Sequence, residues 1–90
     1  MAELITQKQI FEGINAILKK QLHIKKDSEI ALEAEIINDL GADSLQCVEI
    51  QLAIEDKYLI SIPDEDLLKM EQERVKVGDV VNYVHKRLYS

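Results

Sequence analysis

The chain has 90 residues, of which 47% are hydrophobic and 31% charged, with one cysteine and a formal net charge of -6. That length makes one small domain, residues 1–90, with a single modest core; the apolar share excludes a disordered tail, and the charge excludes a membrane protein, since no apolar run approaches the roughly 20 residues of a bilayer span. A lone cysteine builds no intrachain disulfide framework, and no Cys/His cluster indicates zinc or another metal.

The amino terminus, Met1-Ala2-Glu3-Leu4-Ile5-Thr6, lacks both the basic start of a secretory signal and the Arg-rich character of a transit peptide, so a cytoplasmic location is expected. Residues 1–42 carry 7 acids and 5 bases, residues 43–73 carry 9 and 2, and residues 74–90 carry 1 and 4. The middle third therefore holds the whole deficit. Such a field repels nucleic acid and favours partners with basic surfaces, although the same acids would also serve a plain solubilising face.

The first helix is predicted to start at Thr6, where Thr6 and Gln9 read as a capping box. Ile10, Phe11, Ile14, Ile17, Leu18 and Leu22 then recur at helical spacing as one apolar stripe, and Lys19 and Lys20 suit the negative pole. Gly13 weakens this helix by up to about 1 kcal/mol relative to alanine and marks a candidate close crossing. His23, at the helix terminus, reads as a cap or surface group. Residues 25–40 read as a long loop anchored by Ile24, Ile30, Leu32, Ile36, Ile37 and Leu40, with room for a helical turn within residues 31–37. Asp39 adds an acid just upstream of the next element.

Leu40-Gly41-Ala42-Asp43-Ser44-Leu45 is the stretch around which the rest is organised. Gly41 takes backbone angles closed to residues with a Cβ, which suits a chain reversing into a helix. Asp43 is a good N-cap, and Gln46 three residues on completes the D-x-x-Q form of a capping box. Ser44 then lies in the first turn of a helix, where unpaired N–H groups and the positive end of the macrodipole tolerate an anion on its oxygen, such as a phosphodiester.

The second helix, residues 44 to about 59, has two apolar stripes at 100° per residue. Cys47, Ile50, Ile54 and Tyr58 gather around one direction, which is assigned to the interior; a free thiol packs there as a small apolar group. Leu45, Val48, Leu52 and Leu59 gather around another, flanked by Glu49 and Asp56 and beginning beside Ser44. This second stripe is assigned at least partly to partner docking; the alternative is a helix buried between two neighbours, with both stripes in the core.

Pro63 disfavours helix at Ile62 and opens a short third helix, with Asp64 and Glu65 placed for its positive pole and Leu67, Leu68 and Met70 as core contacts. The last helix, residues 77 to about 88, presents Val77, Val80, Val81, Val84 and Leu88, with Lys86 and Arg87 at its carboxyl end, His85 exposed and Tyr83 semi-buried.

Catalytic readings are weak. A serine nucleophile needs a base and an oxyanion site, yet the chain offers two scattered histidines and no G-x-S-x-G elbow. The acids lack calcium-loop spacing, and three glycines far apart make no phosphate cradle.

Asp39-Leu40-Gly41-Ala42-Asp43-Ser44-Leu45 resembles the attachment signature of acyl carrier proteins, and the likeness runs on through Val48, Glu49 and Tyr58 to Ile62-Pro63-Asp64-Glu65 and, more loosely, residues 77–84. The resemblance implies an all-α four-helix bundle of three longer helices and one short, with a long loop between helices 1 and 2, that performs no catalysis of its own. It implies a 4'-phosphopantetheine arm on Ser44, flanked by Asp43 and Leu45 and moved from coenzyme A by a phosphopantetheinyl transferase (holo-acyl-carrier-protein synthase). The arm's thiol, not Cys47, would carry acyl groups as thioesters. Asp43, Glu49, Glu55 and Asp56, with Leu45, Val48 and Leu52, are the implied docking residues for acyl-transfer and fatty acid synthase enzymes with basic surfaces. Cys47, Ile50 and Ile54 are the implied acyl-pocket residues of a monomer. Gln46 departs from the acid that many family members have there, Lys57 interrupts the acidic run, Glu71-Gln72-Glu73-Arg74-Val75 lengthens the region after the third helix by about one helical turn relative to the family, and Lys76 stands where the family often has a capping threonine. Fatty acid biosynthesis is the expected pathway; the alternatives are a carrier for lipid A, polyketide or aminoacyl cargo, or an unmodified adaptor.

Overall fold

The structure is a computed structural model that describes residues 5–72 and 74–89; the readings made for the first four residues and for Glu73 lie outside the described residues. Four helices follow in order, α1 (Gln7–Leu22), α2 (Ser44–Tyr58), α3 (Asp64–Met70) and α4 (Val77–Tyr89), and among the described residues all regular structure beyond one isolated bridge is helical. The fold is the expected small four-helix bundle.

Helix α1 begins where the capping box predicts. Gln9 N–H donates to Thr6 Oγ1 at 3.1 Å and Thr6 N–H to Gln9 Oε1 at 2.9 Å, and His23 ends the helix in the left-handed region. Its stripe of Ile10, Ile14 and Leu18 is fully buried against α2 and α4, each side chain contributing about 1.5–3 kcal/mol. The Tyr58 hydroxyl at the end of α2 donates to the Ile10 carbonyl at 3.3 Å, and the Tyr89 hydroxyl at the end of α4 donates to the Ile5 carbonyl at 3.1 Å. Both helices thus run antiparallel to α1, which places the start of α2 at the opposite pole from residue 5.

The long loop is strapped to the start of α4. Ile36 N–H donates to the Val75 carbonyl (3.0 Å), Val77 N–H to Ala34 (2.9 Å) and Gly78 N–H to Leu32 (2.9 Å). These loop carbonyls satisfy first-turn donors that a side-chain cap would otherwise take, and Asp79 Oδ2 accepts Lys76 N–H at 3.0 Å, so α4 starts without a hydroxyl at position 76. Gly78 must stay small, because a Cβ there would come within 3.3 Å of the Leu32 carbonyl oxygen. Ile30 and Ile36 are buried and Ile24, Ile37 and Leu40 pack on the core. Leu32 does not act as an apolar anchor: its side chain is 45% exposed and its carbonyl makes the attachment. A single turn closes within residues 31–37, with Ala34 N–H on the Ala31 carbonyl, and further turns follow, with Asp39 N–H bonded to Glu35 and Gly41 N–H to Ile37.

Helix α3 buries none of its residues. Met70 packs on the core and Leu67 is half-buried, but Leu68 is 63% exposed, correcting its reading as a core contact. Two turns of helix offer one narrow inner face, and residue 68 lies 100° away from residue 67 around the axis. Polar bonds hold the segment instead: Ile62 N–H donates to Glu55 Oε2, Arg87 Nη2 to the Ser61 carbonyl, and the Tyr83 hydroxyl to Asp66 Oδ2, each at 2.7 Å. Glu71, Gln72 and Arg74 lie in turns and a bend rather than in additional helix, so the extra length lies in the α3–α4 connection. His85, expected on the surface, is half-buried, with its ring 5.0 Å from that of Tyr89.

Candidate functional site

Four residues set up the start of α2. Gly41 turns the chain at φ +79°, and its neighbour Ala42 is buried with its N–H on the Ile36 carbonyl at 3.1 Å. Asp43 then caps the helix reciprocally with Gln46: Gln46 N–H donates to Asp43 Oδ1 at 2.8 Å, and Asp43 N–H to Gln46 Oε1 at 3.1 Å. Backbone and side chains together hold the turn, so the direction in which Ser44 leaves it is fixed.

Ser44 is the first residue of α2 and is exposed. Among the described residues its hydroxyl makes no hydrogen bond, and neither do the N–H groups of Ser44 and Leu45. The first turn contains no acidic residue, and the one acid before it, Asp43, has an oxygen committed to the cap. Free amide donors at the positive end of a helix beside an unengaged hydroxyl fit a phosphodiester on that oxygen.

The two stripes of α2 separate as expected. Cys47, Ile50 and Ile54 are buried, whereas Leu45 is 68% and Leu52 56% exposed, with Val48 half-buried between them. Glu49 and Asp56 are exposed on the same helix. Lys57 lies toward α1, with Nζ 5.9 Å from the Tyr58 ring centroid and Cε close to Gly13. Glu55 is the acid that behaves differently. Its Oε1 accepts from Gln51 Nε2 at 3.0 Å and its Oε2 from Ile62 N–H at 2.7 Å, so both oxygens serve the fold. Asp39 is exposed but also engaged, its Oδ2 accepting Glu35 N–H at 2.8 Å. The internal roles of Glu55 and of half-buried Tyr83 had no signal in helical periodicity, because their partners lie across loops.

Burial, reinforced by the nearby carboxylates of Glu71 and Asp43, pushes the Cys47 thiol up from its ordinary value. It therefore stays protonated and unreactive. Cys47, Ile50 and Ile54 line none of four half-open surface hollows, of which the one at the α3–α4 seam measures about 320 Å³ and is walled by Met70, Val75, Val80 and Tyr83 among others. Among the described residues there is no cluster that could hold a metal ion, and no helix is long and apolar enough to cross a membrane.

A small helical scaffold that presents one unengaged hydroxyl on a rigidly capped turn, beside exposed leucines and acids, has the form of a carrier for a covalently attached group. The chain matches the phosphopantetheine attachment site family over residues 12–84. It is 47% identical over 75 residues to the acyl carrier protein of Helicobacter acinonychis, which covers 83% of this chain and 90% of that protein. Over 75 residues it is 45% identical to the acyl carrier protein of Helicobacter pylori, with the same coverage, and over 74 residues 45% identical to that of Campylobacter jejuni, covering 82% and 90%. The chain belongs to the acyl carrier protein family, whose members are carriers rather than catalysts, and its cofactor is covalent 4'-phosphopantetheine.

Proposed function

We propose that Ser44 is the attachment point and that the chain, a monomeric single domain of the cytoplasm without catalytic activity of its own, carries acyl intermediates of fatty acid biosynthesis. The observation that supports this reading is the exposed, unbonded Ser44 hydroxyl at the head of a helix locked by Asp43 and Gln46. In loading, Ser44 Oγ forms the new bond to the phosphorus of the pantetheine phosphate, the pyrophosphate bond of coenzyme A breaks, and adenosine 3',5'-bisphosphate leaves as the transferase removes the hydroxyl proton. The arm then supplies a mobile thiol on which acyl groups are held as thioesters.

The residues of this chain divide the remaining work. Asp43 and Gln46 aim the hydroxyl, and the amides of Ser44 and Leu45 offset the phosphodiester charge. Leu45, Val48 and Leu52, with Glu49, Asp56 and Asp43, meet partner enzymes that have apolar contacts edged by basic side chains; the internal bonds of Glu55 assign it a smaller share. Cys47, Ile50 and Ile54, packed in the core without a cavity beside them, would part to admit cargo, since burial favours an acyl chain by about 0.8 kcal/mol per CH2.

Incubation of the chain with coenzyme A and a promiscuous phosphopantetheinyl transferase, followed by intact-mass measurement, tests the assignment. One added arm is expected on the wild type and none on Ser44→Ala. An unmodified wild type, or an arm on the alanine variant, refutes it.

A further inference from the structure

Leu59 stands out at the end of α2. It is 88% exposed, more than any other large apolar side chain described. It is also the helix C-cap, in the left-handed region at φ 54° and ψ 45°, a conformation that glycine takes freely and leucine does not. His23 caps α1 with the same backbone shape, but its side chain is polar and gains hydration there. Leu59 combines steric strain, offset in part by its N–H bond to the Glu55 carbonyl, with exposure of an apolar side chain that packs on no core residue.

Its place in the helix supplies a reason. Leu45 and Leu52 are seven residues apart, a spacing that drifts by only about 20° around an α-helix, and Leu59 follows seven residues on at the cap, just past the last helical residue. All three are exposed, and the row spans about 21 Å from the first turn to the cap. Asp56 and Glu49 are exposed along the same helix, while Lys57, the one base in its last turn, is drawn toward Gly13 and Tyr58 of the bundle. The field beside the leucine row is therefore negative.

We infer that Leu59 is a third leucine anchor of the docking face, and that it fits a phosphopantetheinyl transferase surface with an apolar groove about 21 Å long edged by lysine or arginine. The inference rests on the reading of α2 as the docking helix. The left-handed cap holds the leucine clear of the bundle, so it enters such a groove without a rearrangement of the carrier.

Strain and docking make opposite demands on this residue, which gives the test its discrimination. The variants are Leu59→Gly, Leu59→Ala and, as a control on the docking helix itself, Leu52→Ala; each is assayed for transferase KM and kcat with coenzyme A, and for thermal unfolding. Leu59→Gly should raise Tm while raising KM about tenfold with kcat little changed, and Leu59→Ala should raise KM similarly without the gain in Tm. If KM is unaltered in both Leu59 variants but raised in Leu52→Ala, the third anchor is wrong and the docking helix stands. If Leu52→Ala is also without effect, the docking reading fails with it. Concentration-dependent dimerisation of the wild type that Leu59→Gly abolishes would assign the leucine to a second copy and overturn the inference.

Discussion

Gly13 of α1 and Tyr58 of α2 meet so closely that a methyl group on Gly13 would overlap the tyrosine hydroxyl, which is itself bonded to the Ile10 carbonyl at 3.3 Å. The glycine that weakens α1 as a helix is what allows α2 to lie against it, and the position of α2 sets the position of Ser44.

Replacing Gly13 by alanine gains up to about 1 kcal/mol of helix propensity but overpacks the crossing, at about 1–3 kcal/mol. A net loss of about 1 kcal/mol is expected in urea unfolding. Adding Tyr58→Phe, which removes the overlapping oxygen, should recover part of that loss; a Gly13→Ala chain more stable than the wild type would show that the crossing relaxes freely.

Glu55 is expected to matter for stability more than for docking. Glu55→Ala leaves Ile62 N–H without its acceptor and should cost about 1.5–3 kcal/mol, whereas Glu55→Gln keeps an accepting oxygen and should cost less. In contrast, replacing exposed Glu49 and Asp56 by lysine should slow transferase modification at low salt while circular dichroism reports nearly unchanged helicity. Equal kinetics for the lysine variant would remove the acids from the docking surface.

Thiol labelling should separate the two sulfurs of the holo form. Buried Cys47, its thiol held protonated, should react with iodoacetamide only on unfolding, while the arm's thiol reacts at once. Fast labelling of native Ser44→Ala would mean that Cys47 is accessible.

The Tyr83 hydroxyl is pushed up to about 12, first by burial and then by its bond to Asp66. The folded state therefore keeps this proton after the unfolded chain, which titrates near 10, has released it. Between about pH 10 and pH 12 the native form binds more protons, so stability falls as pH rises through that window, having been fully present below it. Tyr83→Phe should show a shallower decline than the wild type in urea unfolding across that range. Identical slopes would mean that the Tyr83 proton is bound alike in both states.

What periodicity and capping chemistry could specify, the sequence revealed. Thr6 with Gln9 and Asp43 with Gln46 located two helix starts, and 100° spacing separated buried Cys47, Ile50 and Ile54 from exposed Leu45 and Leu52. Helical spacing alone does not place every side chain. Leu32 and Leu68 were placed inside for being leucines, yet a turn and a two-turn helix leave them outward. Glu55 read as a surface acid, because the backbone N–H that turns it inward belongs to a residue seven positions on, beyond the reach of helical spacing. The strap of Ala34 and Leu32 carbonyls onto Val77 and Gly78 joins segments more than 40 residues apart, and no local pattern encodes it.

The single hydroxyl of Tyr89 takes the N–H of Ile5 and gives its proton to the same residue's carbonyl. The two ends of the described chain are therefore clasped together at the pole away from Ser44. A carrier built this way can be fused, immobilised or threaded into a longer polypeptide from that pole by either end, while its swinging arm keeps an unobstructed sweep at the other.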